Sequence, residues 1–180
     1  MKHIGLISDT HGYIHPRVFS FFSDCDEIWH AGDIGNIETL ARLQKFKPCR
    51  AVYGNIDGGG LRIELNEYEV FTIEGIKVCL IHIGGYPGRY SPKGRELIQK
   101  HKPDIFISGH SHILKVMPDN KNKLLHINPG GSGNSGIHKQ ITFIKFAIEN
   151  SNISDMEMKK NALLVFAFSG LLAISCGKEE

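Results

Sequence analysis

The sequence predicts an α/β fold in which two β-sheets pack together and helices cover their outer faces. Two observations support this prediction. In residues 1–53, buried apolar segments alternate with loops and helices, as in an α/β core whose strands lie side by side. After residue 60, strand-like segments follow one another with one helix among them. A chain of 180 residues is long enough for one such domain with a substantial core, and it is short for two.

Three strands and two helices are predicted in the first part of the chain. The strands cover residues 2–8, 27–30 and 49–53, and the helices cover residues 15–22 and 37–46. Pro16 suits the first turn of the first helix, because a backbone N–H would have no helical partner there. Asn36 can cap the second helix, and Glu38 stands in its first turn, where negative charge is favourable.

Strands dominate the prediction for the rest of the domain. They cover residues 61–65, 68–73, 76–83, 104–108, 113–117, 123–128 and 140–148, with one helix over residues 92–101. Glu74 and Gly75 suit a tight turn between two of these strands. Apolar periodicity stops between Asn150 and Asp155, so we expect the domain to span residues 1–155.

Residues 156–180 form a separate segment with a different character. Two lysines after Met158 precede an apolar run over residues 162–174 and then Cys176, which is the anatomy of a bacterial lipoprotein signal peptide. Signal peptides stand at amino termini, so three interpretations are open: an apolar carboxyl-terminal helix, a membrane tail, or a translated fragment of a neighbouring reading frame. The run is shorter than the about 20 residues that span a bilayer. We favour the spurious extension.

Composition excludes several functional classes. The net charge is +2, which gives no electrostatic reason to expect nucleic-acid binding. The four cysteines are scattered without a CxxC pair, which argues against a disulfide framework and against a thiolate zinc site. The amino terminus runs into a strand without a signal-peptide pattern. We therefore expect the main domain to be cytoplasmic and not to contact a membrane. A homo-oligomer is compatible with the sequence.

Polar residues that can bind metal recur where the predicted strands end. The candidate ligands are Asp9, His11, Asp33, Asn55, His82, His110 and His112. Alternate residues of an extended segment share a face, so Asp9 and His11 could converge on one point. Each residue alone has an ordinary explanation as a turn or core residue, and the joint occurrence at strand ends favours a metal site.

These candidate ligands are more than a single catalytic ion binds from a protein. They suit two ions that share one carboxylate. Oxygen and imidazole donors without thiolate suit Mn²⁺, which we expect, or Zn²⁺, iron or Mg²⁺. Asp33 is our choice for the bridge, because neighbouring glycines let the backbone approach closely. Paired ions lower the pKa of a shared water and clamp the oxygens of a phosphoryl displacement.

The ordered motifs D-x-H, G-D, G-N-x-D, H and G-H-x-H resemble those of the calcineurin-like metallophosphoesterase superfamily, in particular its small bacterial, YfcE-like phosphodiesterase branch. The resemblance covers residues 1–150. It implies a four-layer αββα sandwich of two mixed β-sheets flanked by helices. It also implies that Asp9, His11, Asp33 and His112 hold one ion, and that Asp33, Asn55, His82 and His110 hold the other.

The resemblance further implies the reaction. A small phosphoester, and a phosphodiester in the first instance, would be hydrolysed by attack of a metal-bridging hydroxide, with Asp33, Asn55 and His110 as catalytic residues. Many members carry a histidine directly after the asparagine of the G-N motif to protonate the leaving group, whereas this chain has Ile56. The general acid is therefore left unassigned.

Two questions stay open in the sequence. Arg89 lies in the loop of residues 84–95, where it could hold a phosphate bidentately or could belong to an ordinary Gly- and Pro-rich surface loop. The same fold also serves a non-catalytic scaffold, the retromer subunit. Since every ligand position in this chain holds a competent residue, we expect the enzyme rather than the scaffold.

Overall fold

Two β-sheets lie face to face in the computed structural model of this chain, which describes residues 1–136, 140–160 and 166–168. The helices are α1 (Arg17–Phe21), α2 (Ile37–Phe46), α3 (Gly59–Glu64) and α4 (Pro92–His101). The strands are β1 (Lys2–Ile7), β2 (Glu27–His30), β3 (Cys49–Ala51), β4 (Tyr68–Ile73), β5 (Ile76–Ile81), β6 (Gly85–Tyr86), β7 (Arg89–Tyr90), β8 (Ile105–Ile107), β9 (Lys115–Asp119), β10 (Leu124–Asn128), β11 (Thr142–Glu149), β12 (Asn152–Lys160) and β13 (Phe166–Phe168).

Both sheets are mixed. The first has the order β13-β12-β11-β1-β2-β3, in which β1, β2 and β3 are parallel and the other strands pair antiparallel. The second has the order β4-β5-β8-β10-β9, in which β5, β8 and β10 are parallel. In each sheet the parallel strands lie together, so their carboxyl ends reach the same edge of the sandwich.

Apolar side chains fill the space between the sheets and the space under the helices. The inter-sheet core contains Leu6, Trp29, Leu80 and Ile107, all of which are fully buried. On the outer face of the first sheet, helices α1 and α2 cover a second cluster, and α4 covers a third on the second sheet. Because both faces of the parallel strands are buried, these strands read as continuous apolar runs. The four-layer αββα sandwich is thereby confirmed.

The two longer helices have the predicted bounds because their caps are explicit. The Asn36 side chain accepts a hydrogen bond from the Thr39 N–H at 2.9 Å, and α2 begins there. The Ser91 side chain likewise accepts a hydrogen bond from the Gly94 N–H at 2.9 Å, and α4 begins at Pro92. Caps of this kind satisfy donors that the helix itself leaves unpaired.

The prediction of a strand over residues 61–65 is wrong, since helix α3 occupies Gly59–Glu64. Leu61 is buried while Ile63 is 89% exposed. Leu61 and Leu65 pack in one cluster beside α2. Their spacing of four residues is that of a helix face, and a window of five residues is too short to distinguish it from alternation.

Strand β12 crosses residue 155, where the sequence predicts the domain to end. Asn150 and Ser151 form the left-handed turn of a hairpin, with φ of 48° and 62°, and β12 returns along β11. Asp155 has φ of 50° at a bulge, which shifts the apolar alternation from Ile153 to Met156. This extra residue hides the strand from a period-two pattern. The predicted apolar run and Cys176 lie outside the described residues, apart from the backbone of β13.

A short hairpin replaces part of the predicted surface loop of residues 84–95. Strands β6 and β7 pair Tyr86 with Arg89 across Pro87 and Gly88, and Gly88 has φ of 86°. Proline followed by a left-handed glycine is the signature of a type II turn. Within the described part of the chain, no helix has both the length and the apolar character needed to cross a bilayer.

Candidate metal centre

Five loops at one edge of the sandwich carry all the side chains predicted as metal ligands. Asp9 and His11 follow β1, Asp33 follows β2, Asn55 follows β3, His82 follows β5, and His110 and His112 follow β8. Backbone hydrogen bonds join neighbouring loops. The Asp9 N–H donates to the Gly32 carbonyl at 2.9 Å, and the Gly109 N–H donates to the His82 carbonyl at 3.0 Å. Both sheets therefore contribute to one site.

Five of the predicted ligands have left-handed backbone conformations. They are Asp9 (φ 55°), His11 (φ 49°), Asp33 (φ 55°), His110 (φ 65°) and His112 (φ 56°). The expectation that Asp9 and His11 share the face of an extended segment is wrong, because β1 ends at Ile7 and a turn brings the two side chains together. Residues with a Cβ adopt this conformation at a cost of about 1–2 kcal/mol each. Such strain clusters at functional sites.

The first group of ligands consists of Asp9, His11 and His112, whose donor atoms lie within 4.8 Å of one another. His112 Nε2 is 3.2 Å from Asp9 Oδ1 and 3.3 Å from His11 Nε2. Asp9 is fully buried. Its Oδ2 accepts a hydrogen bond from the His110 N–H at 3.2 Å, while Oδ1 makes no hydrogen bond with any described residue.

The second group consists of Asp33, His82 and His110, and Asn55 lies against it. His82 Nε2 is 3.2 Å from Asp33 Oδ1 and 3.1 Å from Asn55 Oδ1. His82 Nε2 is also 4.0 Å from Asp9 Oδ1, which places the two groups side by side. All the residues predicted as metal ligands are thus brought together.

The donor atoms fit divalent ions. His82 Nδ1 lies 2.7 Å from the Ala31 carbonyl, which can only accept, so Nδ1 carries the proton and Nε2 is a lone-pair donor in the neutral ring. That nitrogen faces two further acceptors, Asp33 Oδ1 and Asn55 Oδ1. Acceptors that face one another need a proton or a metal ion between them, and the buried Asp9 Oδ1 needs one as well. Carboxylate, amide and imidazole donors suit Mn²⁺, Zn²⁺ or iron.

The electrostatics of the site follow from the same contacts. Burial would raise the pKa of Asp33, but the hydrogen bond and charge of His82 and the Ile56 N–H hold it below its ordinary value. Burial would lower the pKa of His82, but Asp33 and Asp9 raise it. The contact with Asp9 likewise raises the pKa of His112. The buried carboxylates thus attract positive charge to both groups of ligands.

Glycines next to the ligands leave room that a side chain would fill. A Cβ on Gly54 would lie 2.0 Å from Asp33 Oδ1 and 2.4 Å from the Asp33 nitrogen. A Cβ on Gly32 would lie 2.6 Å from the Cβ of His82. The close approach of backbone to Asp33 that the sequence suggests is therefore made by Gly54, whereas Gly32 approaches His82.

His30 supports the first loop from behind. It is fully buried, and its Nε2 lies 2.9 Å from Thr10 Oγ1. The Thr10 hydroxyl donates to the Ile34 carbonyl at 3.1 Å, so it accepts from His30, and His30 Nδ1 accepts from the Gly32 N–H at 3.2 Å. Burial lowers the pKa of His30 to about 4. The neutral imidazole therefore links the loops that carry Asp9 and Asp33.

Asp57 ties two ligand loops together without being a ligand itself. Its carboxylate accepts hydrogen bonds from the N–H groups of Ile34 at 3.0 Å, Gly35 at 2.8 Å and Gly54 at 2.9 Å. The first two follow Asp33, and the third precedes Asn55. The signal in the sequence is an aspartate two residues after a candidate ligand in a Gly-rich turn, where a side chain can bond to nearby backbone.

Two cavities adjoin the centre. One of about 410 Å³ is lined by Asn55, His82 and Arg62 among others. The other, of about 260 Å³, is lined by His110, and Arg89 lies at its wall on strand β7. The structure therefore places Arg89 near the ligands, although no hydrogen bond links it to them.

Known proteins resemble this chain in sequence and in fold. The family model for the calcineurin-like phosphoesterase superfamily domain matches residues 1–151. A probable metallophosphoesterase of Methanothermobacter thermautotrophicus is 35% identical over 134 residues, which are 71% of this chain and 75% of that protein.

Solved structures share the fold at lower identity. Wild-type Vps29 of Entamoeba histolytica in complex with zinc has a TM-score of 0.70 and 21% identity, over 94% of this chain and 98% of that one. A novel archaeal phosphodiesterase has a TM-score of 0.67 and 21% identity, over 91% and 99% of the two chains. The family match, the related sequence and the ligand groups agree, and the chain belongs to the calcineurin-like phosphoesterase superfamily of metal-dependent phosphoesterases.

Proposed function

We propose that this protein is a phosphodiesterase that uses two divalent ions, with Mn²⁺ as the expected ion. The observation that carries the proposal is the pair of adjacent ligand groups, each with one carboxylate and two imidazoles. Either ligand group alone has too few donor atoms to bind two ions. A single ion would leave the donor atoms of the other group unused. The zinc in the Vps29 complex keeps Zn²⁺ as the alternative.

The ligand assignment is the one that the family resemblance implies, and the two ligand groups support it. Asp9, His11, Asp33 and His112 would hold one ion, and Asp33, Asn55, His82 and His110 would hold the other. Divalent ions supply Lewis acidity, which lowers the pKa of a water and stabilises charge on a phosphoryl group. Asp33 is proposed as the shared ligand, because its Oδ1 lies beside His82 and the charge of His11 also acts on it.

The remaining roles follow from exposure. His110 and Asn55 are exposed while Asp9 and Asp33 are buried, so His110 and Asn55 face the side from which substrate arrives. Both are proposed to contact the phosphoryl group, and Arg89 in the wall of the adjoining cavity is proposed to bind an anionic group of the substrate. Ile56 is 49% exposed and has no proton to give, so the leaving oxygen takes its proton from another group or from water.

A phosphodiester is favoured over a protein substrate, because the described residues include no inserted domain around the site. The described cysteines are free, which suits a cytoplasmic protein. The competing function is a non-catalytic scaffold built on this fold, which Vps29 shares. Hydrolysis distinguishes the two.

The test is hydrolysis of bis(4-nitrophenyl) phosphate with added Mn²⁺, together with the number of ions bound per chain. We expect two Mn²⁺ per chain and metal-dependent release of 4-nitrophenolate. Asp33→Asn and His110→Ala should each lower kcat/KM by about 100-fold or more, because each removes charge stabilisation at the reacting phosphorus. Faster hydrolysis of the diester than of 4-nitrophenyl phosphate supports the phosphodiesterase assignment.

His3→Ala is the matched control, since His3 lies on the surface beside Asp26 and away from the centre. It should behave as the wild type. Equal activity in the wild type, Asp33→Asn and His110→Ala would refute the two-ion mechanism. Full metal binding without hydrolysis of either ester would favour the scaffold.

A further inference from the structure

A cavity beside the metal centre has features that the hydrolysis itself does not require. It has a volume of about 260 Å³ and lies between the β6–β7 hairpin and the strands β9 and β10. His110 forms one wall, so the cavity opens next to the ligands. Its volume is below that of the pockets that hold drug-sized molecules, about 300 Å³ and more, so it suits a compact group.

The charged side chains that line this cavity have one sign. Among its described lining residues, Arg89 and Lys115 are the ones with a full charge, and both are cationic. Lys115 Nζ lies 3.6 Å from the ring centroid of Tyr86, which holds the ammonium group over the hairpin. The larger cavity differs, because Glu67 lies in its wall together with Arg62 and Lys93. Selection for negative charge is therefore expected in the smaller cavity.

A buried imidazole without a partner also lines the smaller cavity. His126 is fully buried on β10, and neither of its ring nitrogens has a hydrogen-bond partner among the described residues. Its ring stacks on Phe106 with centroids 6.2 Å apart and an interplanar angle of 30°. Burial and the charge of Lys115 lower the pKa of His126 to about 4, so the ring is neutral at neutral pH and keeps one N–H donor. Native proteins rarely leave such a group unpaired, and a ligand would pair it.

We propose that this cavity is a subsite for a second anionic group, a carboxylate or a phosphate, on the ester substituent of the substrate. Arg89 and Lys115 supply the charge, and His126 donates a hydrogen bond from the floor. The proposal rests on the proposed phosphodiesterase function and adds its substrate class: phosphodiesters in which one alcohol is a small anionic molecule.

Two substrates of equal size test the proposal. Carboxymethyl 4-nitrophenyl phosphate and isobutyl 4-nitrophenyl phosphate have the same number of non-hydrogen atoms, and a carboxylate in the first replaces the isopropyl group of the second. In both, water adds its oxygen to phosphorus, the bond to the aryl oxygen breaks, and 4-nitrophenolate leaves. We expect the Mn²⁺-loaded wild type to prefer the carboxymethyl ester by about tenfold in kcat/KM, as a charge-assisted hydrogen bond would give. A third ester with a terminal phosphate on a two-carbon arm shows which of the two anions fits better.

Substitutions in the cavity show which side chains cause the preference for the carboxymethyl ester. Lys115→Gln and His126→Phe should each lower the ratio of the two kcat/KM values by about fivefold, since each removes one polar contact to the anion. Lys100→Gln, on the exposed face of α4, is the matched control and should keep the ratio of the wild type. A ratio near one in the wild type, or a ratio that survives in both Lys115→Gln and Arg89→Gln, would overturn the subsite.

A binding experiment separates failure of the subsite from failure of the phosphodiesterase assignment. The ring signals of His126 in the Mg²⁺-loaded protein, identified by their loss in His126→Phe, are followed by NMR. They should shift with 2-phosphoglycolate and stay in place with isobutyl phosphate. This shift in a protein inactive on both diesters would refute the phosphodiesterase and keep the anion site. Hydrolysis of both diesters without preference and without the shift would refute the subsite alone.

Discussion

Asp9 is a fully buried carboxylate whose Oδ1 accepts no hydrogen bond from the described residues. An uncompensated charge of this kind is costly inside a protein. The His110 N–H donates a hydrogen bond to the other oxygen of Asp9, and the imidazoles of His112 and His82 lie 3.2 Å and 4.0 Å from Oδ1. At the scale of single residues, the buried Asp9 carboxylate therefore lowers the stability of the metal-free protein. Bound cations would restore this stability.

Gly54 is the residue on which the position of Asp33 depends most sharply. A Cβ at Gly54 would lie 2.0 Å from Asp33 Oδ1, so Gly54→Ala must displace the carboxylate or the loop. We expect the variant to lose at least one bound ion and to lose most of its hydrolytic activity. Ion content measured by atomic absorption, together with kcat/KM, checks this outcome.

Gly60→Ala is the matched control for this substitution. A Cβ at Gly60 meets nothing within 4 Å, and Gly60 lies in helix α3. It should keep both ions and gain about 0.4–1 kcal/mol of unfolding free energy, because alanine restricts the unfolded chain. An active, fully loaded Gly54→Ala protein would show that Asp33 can move without consequence.

Which residues form the candidate metal centre could be predicted from the sequence, whereas their backbone geometry could not. Each of these residues lies in the loop that follows an apolar strand, and that pattern is visible without coordinates. The left-handed backbone at Asp9 and His11 is not visible, because residues with a Cβ rarely adopt it and nothing in the local sequence requires it. The support that His30 gives to the first loop depends on contacts between distant segments.

The loops after β2 and β3 behave as one element because of Asp57. Three backbone N–H groups from these loops converge on its carboxylate, at 2.8–3.0 Å. The loops bear Asp33 and Asn55, so the hydrogen bonds of Asp57 help to fix the distance between these two candidate ligands. Rigid positioning of ligands by such partners is typical of metal sites.

Asp57→Ala should lower the unfolding free energy by about 3 kcal/mol, because it leaves three N–H groups without their acceptor. Urea denaturation of the metal-free protein measures this change without the contribution of bound ions. Asp24→Ala is the control. Asp24 pairs with Lys145 at 2.8 Å on the surface, and an exposed pair of this kind contributes less than about 1 kcal/mol. Equal losses in the two variants would contradict the role of Asp57.

Elements with explicit end signals could be predicted, and those without them could not. Asn36 and Pro92 mark the starts of α2 and α4, and the turn at Glu74 and Gly75 is formed with φ of 47° and 83°. Helix α3 has no side-chain cap and one buried residue, so its pattern was ambiguous. The β6–β7 hairpin did carry a signal, the Pro87-Gly88 turn, within a loop that otherwise reads as irregular.

The whole molecule depends on pH through histidines buried in the neutral form. Burial lowers the pKa of His30 and of His126 to about 4 each. The ordinary value of about 6.5 applies in the unfolded chain, which therefore binds more protons than the folded one between pH 6.5 and pH 4. The stability that His30 and His126 contribute is fully present above pH 6.5 and is lost as the pH falls through 4.

His126→Phe isolates one of these contributions. Between pH 7 and pH 4 the unfolding free energy should fall by about 2–3 kcal/mol less in this variant than in the wild type. The reason is that phenylalanine, unlike His126, takes up no proton when the chain unfolds. Urea titrations at each pH give the two curves, and their difference cancels the effect of the metal-binding histidines common to both proteins. Parallel curves would contradict the neutral, buried state of His126.

The ligands extend from Asp9 to His112 along the chain and come from both sheets. No segment shorter than this span can assemble the centre, and neither sheet can do so alone. An ion that binds only the assembled site pulls the folding equilibrium towards the docked sandwich by mass action. A nascent chain would then gain its ions only after the β8 loop has been synthesised and both sheets have docked. A shortage of metal in the cell would lower the activity of the protein and would also shorten its lifetime.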